Sequence, residues 1–165
     1  MKFINDGSVD ASPLISHYSS PKKIEDSLLL LYTERGRKST EIPNDQINGA
    51  ADIMEVYDRI KRLTEEMFRA MCDGDADTLG KKMDENWLLK KRLSGRIGDG
   101  WIDDLYSKAI SLRAKGGKIV GAGGGRFLLL VADRDKHEVI SNELALRRTD
   151  FKFSHAGSRV IFVGD

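Results

Sequence analysis

Four glycines in five positions, Gly121-Ala122-Gly123-Gly124-Gly125, separate the apolar segments Lys118-Ile119-Val120 and Arg126-Phe127-Leu128-Leu129-Leu130-Val131. Glycines lack the side chains that keep a backbone at a distance, so such a loop can turn its N–H groups toward an anion. Both flanks are rich in strand formers, which holds the loop between ordered segments. A phosphate-cradling nest fits this pattern, and so does a glycine-rich bulge or wide hairpin turn. A P-loop is excluded because Gly125 is followed by Arg126 and Phe127, not by Lys and Ser or Thr ahead of a helix. A dinucleotide fingerprint is excluded because its sixth position is Arg126 and the following run reads as a strand.

A chain of 165 residues can bury a sizeable core in one domain, or at most two small ones. Its 27 basic and 26 acidic residues leave a net charge of +1, so neither nucleic acid nor an anionic membrane is an expected partner. The single cysteine, Cys72, excludes an intrachain disulfide and reads as a small buried hydrophobe. No apolar stretch approaches the roughly 20 residues that span a bilayer, and the N-terminus lacks a signal-peptide core. A cytoplasmic protein is expected.

Lys2-Phe3-Ile4 and Val9-Asp10-Ala11 flank the turn sequence Asn5-Asp6-Gly7-Ser8, a hairpin signature. Pro13 and Pro21 bracket an expected loop, and Ser27 to Thr33 has the length and apolarity of a strand. Ile53, Met54, Tyr57, Ile60, Thr64, Met67, Phe68 and Met71 recur at helical spacing and form one apolar stripe. Gly74 suits the C-cap of that helix and Asp75 the N-cap of the next, which carries Leu79, Met83 and Trp87. A third helix is expected from Asp99 or Trp101 to a Gly116-Gly117 break. A fourth runs from Asp133 to Leu146, with Val139, Ile140 and Leu144 toward a sheet. Phe151 to Phe153 and Arg159 to Val163 read as a closing hairpin. The fold class predicted is α+β, an antiparallel sheet with helices packed on one face.

Ala114-Lys115-Gly116-Gly117-Lys118-Ile119-Val120, running into the glycines and Arg126-Phe127-Leu128-Leu129, resembles the C-terminal glycine motif of the GHMP kinases. That superfamily includes galactokinase, homoserine kinase, mevalonate kinase and phosphomevalonate kinase. Ser27 to Thr33, Asn86 to Lys91 and the Gly-Gly-Lys approach to the loop are similar to the D-glycero-D-manno-heptose 7-phosphate kinase branch. The resemblance implies a ferredoxin-like C-terminal domain over residues 21–165. Residues 1–20 would be remnant strands of an N-terminal kinase domain whose Pro-x-x-x-Gly-Leu-x-Ser-Ser phosphate loop this sequence does not contain. It further implies ATP and Mg as cofactors of the family, with neither held tightly by this truncated chain alone. A sugar phosphate and ATP become partners once an N-terminal domain completes the site.

On that basis Gly121, Ala122, Gly123, Gly124 and Gly125 are the expected phosphate or nucleotide loop. Lys118, Arg126, Arg35 and Arg37 are candidate substrate contacts. Arg126 stands where the family usually has another glycine, so it donates to a phosphate, fills ligand space or faces solvent. Arg35 and Arg37 lie in a basic turn suited to bidentate phosphate contact, or to solvation alone. No residue is assigned as a catalytic base, and His17, His137 and His155 lack metal-ligand spacing. The expectation is a sugar-kinase half inactive alone. The alternatives are a non-catalytic sugar-phosphate or nucleotide binding module and a folded remnant. An uncovered interdomain face would favour self-association.

Overall fold

The computed structural model describes residues 2–11, 18–34, 50–93, 100–120 and 127–154. The N-terminal hairpin forms as expected: β1 (Lys2–Phe3) pairs antiparallel with β2 (Val9–Asp10). Gly7 takes φ 86° in the turn, and Asp6 Oδ1 accepts from the Ser8 N–H at 2.8 Å. Residues 3–11 are exposed throughout.

The expected loop between Pro13 and Pro21 is corrected at its end. Pro21 opens α1 (Ser20–Ser27), where its missing N–H is not needed in the first turn. The apolar run is β3 (Leu28–Tyr32), and the long stripe is α2 (Ala50–Asp73). After α3 (Ala76–Leu93) and α4 (Gly100–Ser111) come β4 (Gly116–Val120) and β5 (Phe127–Val131). A 3-10 turn (Arg134–Lys136) leads into α5 (His137–Leu144), and β6 is Arg147–Arg148.

The larger sheet has the order β4-β5-β3-β6, with β5 antiparallel to both β3 and β4 and β6 antiparallel to β3. β3 and β4 are therefore parallel with β5 between them, and β5 and β6 are parallel with β3 between them. This is the split βαβ arrangement of a ferredoxin-like layer. Register puts Leu29 and Leu31 beside Leu130 and Leu128, and all four are buried against Trp87, Ile102, Tyr106, Ala109, Ile140 and Leu144. A second cluster joins Ile24, Ala70, Leu79, Met83 and Val131 with the partly buried Leu28 and Leu129. The opposite sheet face is thus covered at its Leu28–Val131 end. It is half-open at its Tyr32–Phe127 end.

Several local expectations change. α4 stops at Ser111, and Gly116 and Gly117 open a strand instead of marking a break. The reason is packing: a Cβ on Gly116 would lie 2.0 Å from the Gly80 carbonyl oxygen of α3. Val139 is exposed, while Ile140 and Leu144 face the sheet. Met54, Tyr57 and Phe68 of the α2 stripe are exposed, because the buried line runs through Val56, Leu63 and Ala70. Cys72 is half-buried. Phe151 to Phe153 lies outside any strand, and the strand that pairs with β3 on this side is Arg147–Arg148. Arg159 to Val163 lies outside the described residues.

Candidate functional site

Val120 and Phe127 are paired at the end of the β4–β5 ladder, and the glycine-rich residues connect these two partners. Gly121, Ala122, Gly123, Gly124, Gly125 and Arg126 lie outside the described residues, as do Arg35 and Arg37. The strands that precede and follow these segments are described.

Three devices fix β4. Gly80 and Gly116 bring α3 against the outer edge of β4, so this edge strand is covered and not left to pair with another chain. Tyr106 of α4 accepts from the Gly117 N–H at 3.1 Å and donates to Asp84 Oδ1 of α3 at 2.8 Å. Burial, together with the Asp84 carboxylate, raises the Tyr106 pKa, so the phenol stays a donor. At the start of the strand the Lys115 N–H donates to the Val131 carbonyl at 2.7 Å, and its ammonium pairs with Asp133 at 2.5 Å and with Asp77.

The half-open sheet face carries aromatic and cationic side chains. Strand alternation puts Lys118 and Val120 on the same face as Phe127, Leu129, Leu30 and Tyr32. Tyr32 and Phe127 form a tilted aromatic pair with centroids 5.3 Å apart. Arg147, opposite Tyr32 in register, holds its guanidinium carbon 5.5 Å from the Tyr32 centroid. Lys118 is exposed. Lys90, one turn beyond Trp87 on α3, is half-buried; burial lowers its pKa and the Lys118 charge lowers it further. Two cations 28 positions apart in sequence are thus brought within electrostatic reach. No spacing rule links a lysine late in a helix to one in a later strand, so this convergence was not readable beforehand. An aromatic plate with cations at its margin suits a polar ligand that carries an anionic group.

Among the described residues, no three His, Cys, Asp or Glu side chains are grouped to hold a metal ion. No described helix is long and apolar enough to cross a membrane.

Residues 67–148 match the family model for the C-terminal domain of GHMP kinases. The chain is 27% identical to the D-glycero-alpha-D-manno-heptose 7-phosphate kinase of Campylobacter jejuni, an alignment covering 95% of this chain and 48% of that protein. It therefore spans about half the length of this curated relative. Among solved structures, a D-glycero-D-manno-heptose 1-phosphate kinase from Bacteroides thetaiotaomicron superposes with a TM-score of 0.62 at 19% identity. That match covers 92% of this chain and 40% of the other. The mevalonate kinase of L. major superposes with a TM-score of 0.63 at 19% identity, over 73% of this chain and 40% of the other. These structural likenesses establish a shared fold.

Proposed function

From the chain's membership of the GHMP kinases, through their C-terminal domain, we propose that it is the C-terminal half of an ATP-dependent sugar kinase acting on a sugar phosphate of the heptose 7-phosphate type. The observation that carries this reading is the half-open sheet face. Lys118, with Lys90 within electrostatic reach, flanks the Tyr32–Phe127 plate from one edge of the sheet and Arg147 from the other, at the end of the sheet that runs into Gly121–Gly125. The glycine segment would supply backbone N–H groups to a phosphate, with Arg126 at its exit and Arg35 and Arg37 as outer contacts. The lysines and Arg147 would favour the dianionic end of the sugar phosphate.

Phosphoryl transfer needs a phosphate cradle, a metal and a group that orients the nucleophile, all converging on one reaction line. This half provides one part of that set, so it has no turnover alone. The β1–β2 hairpin, exposed along its length with Phe3, Ile4 and Val9 uncovered, supports assigning the strands within residues 1–20 to an N-terminal kinase domain, whereas Ser20 itself is buried at the start of α1.

The test assays the chain with ATP and heptose 7-phosphate, alone and mixed with the N-terminal half of the Campylobacter jejuni relative. No product is expected from the chain alone. Product is expected from the mixture, reduced about tenfold or more by Lys118→Ala. Turnover by the isolated chain at an ordinary rate of ~1 per second would overturn the proposal. Saturable binding of the sugar phosphate that never yields product with any completing half would instead identify a binding module.

A further inference from the structure

A second cleft lies at the opposite end of the sheet, where β3 begins and β5 ends. Its volume is about 540 Å³, within the range of small-molecule sites. α1 forms one wall, and the 3-10 turn and the first residue of α5 form another. The third is the chain leaving β6, held along β3 by the Thr149 N–H to the Leu30 carbonyl at 2.8 Å. It is anchored further on, where the Phe153 N–H donates to Glu25 Oε2 at 2.8 Å. Five residues of β3 separate this end from the glycine segment, roughly 14 Å of strand.

Lys22, Arg134, Arg148 and Lys152 line this cleft. The carboxylates among them are already engaged. Asp26 is shared by Lys22 and Arg134, each at 2.5 Å. Asp150 takes Arg148 at 3.1 Å, and Glu25 takes the Phe153 N–H. Lys152 is exposed and has no acidic partner among the described residues. Lys22 also reaches Glu25 at 3.8 Å, so the four cations of the cleft share the three carboxylates Glu25, Asp26 and Asp150, which leaves it one negative charge short. His137 completes the wall at 2% exposure. Its Nε2 sits 3.2 Å from the Ala132 carbonyl, and its buried Nδ1 has no hydrogen-bond partner among the described residues.

We propose that this cleft is a second binding site, separate from the glycine-loop site, that takes a phosphate monoester between Arg134, Arg148, Lys22 and Lys152. Arginine forks match two phosphate oxygens at once, and both guanidiniums are exposed enough to turn from Asp26 and Asp150 toward a dianion. The unpaired imidazole nitrogen in the wall is the natural reporter of occupancy. The proposal is independent of the kinase reading, since none of these residues is placed in that site, and Arg148, although it adjoins Arg147, is on the opposite face of the sheet.

The test is a backbone-amide NMR titration of the full chain with glucose 6-phosphate, inorganic phosphate and, as the neutral control, glucose. Saturable shifts are expected at residues 22–28, 134–137 and 148–152 with both phosphates and not with glucose, with a Kd of about 1 mM or tighter. Response to inorganic phosphate as strong as to the ester would assign the ion alone as the ligand and overturn the monoester assignment. Arg148→Ala and Lys152→Ala, both at exposed positions, should each weaken binding about fivefold or more, while Lys61→Ala on the outside of α2 leaves it unchanged. Shifts confined to residues 118–120 and 127–129, or no saturable shift with the ester, would overturn the proposal. So would equal binding by the Arg148 and Lys152 variants.

Discussion

Three helices end on the same hydrogen-bond pattern with different residues at the turning point. After α2, the Asp75 N–H reaches the Ala70 carbonyl at 2.8 Å and the Gly74 N–H reaches Met71 at 3.3 Å. α4 repeats this with Ala114 to Ala109 and Arg113 to Ile110, and α5 with Leu146 to Ser141 and Ala145 to Asn142. The turning residue must be left-handed: Gly74 has φ 70°, but Arg113 has φ 77° and Ala145 has φ 53°. Only the first of these was legible in the sequence, because glycine advertises the conformation that arginine and alanine merely tolerate. The sequence pattern accordingly runs α4 and α5 too far, to Gly116 and Leu146, where the helices end at Ser111 and Leu144. Ala145→Gly is expected to stabilise the protein by about 0.5–1 kcal/mol, the left-handed penalty relieved less the added freedom of the unfolded chain. Gly74→Ala is expected to lose more than ~1 kcal/mol, since its Cβ would also lie 3.0 Å from Ser20 Cα. Urea unfolding of the two variants checks both signs. A destabilised Ala145→Gly would show that the α5 terminus is not strained. The Tyr106 hydroxyl is a second residue-scale dependence: Tyr106→Phe leaves the buried Gly117 N–H without its acceptor, at a cost of about 1–3 kcal/mol.

Between elements, α2 and α3 are joined by apolar packing and by four charges. Arg59 bridges Glu66 at 2.7 Å and Glu85 at 2.6 Å, and Lys82 reaches Glu66 at 2.6 Å. The Lys82 and Arg59 contacts hold the Glu66 carboxyl below its ordinary 4.5, and Arg59 does the same for Glu85. Between those lowered values and 4.5 the unfolded chain binds more protons than the folded one. Stability from the network is therefore complete above that window and is lost as pH falls through it. The urea midpoint should decline on acidification below about pH 4.5, and less steeply in Glu85→Gln. An identical slope in the variant would remove this pair from the acid response. The packing of these helices was legible in their periodicity, as were β3 and β5 from their leucine runs. α1 was hidden because Pro21 reads as a loop marker when it sits in the first turn of a helix. β6 was hidden because Arg147 and Arg148 carry no apolar alternation, although their register on β3 sends Arg147 to one face and Arg148 to the other. That pair is what populates both cationic sites, so the feature least visible in the sequence connects the two ends of the sheet.

Over the whole molecule, the buried core contrasts with the exposed N-terminal hairpin. The sheet and helices bury two apolar clusters, whereas residues 3–11 are exposed throughout, with Phe3 at 79% exposure. A lone two-stranded ribbon is at best marginally stable in water, so the hairpin adds almost nothing to the folding of the rest. Its exposed edges and apolar side chains fit a strand pair that joins a larger sheet on the completing half. Deleting residues 1–11 is therefore expected to leave the unfolding midpoint of the body within about 0.5 kcal/mol of the full chain. The same deletion should sharply weaken association with the N-terminal half of the Campylobacter jejuni relative, measured by sedimentation of the mixture. The two readouts separate the possibilities. A lower midpoint after deletion would show that the hairpin belongs to the C-terminal domain. An unchanged midpoint with undiminished association would show that the halves meet elsewhere, with the uncovered Met54, Tyr57 and Phe68 of α2 as the next surface to substitute.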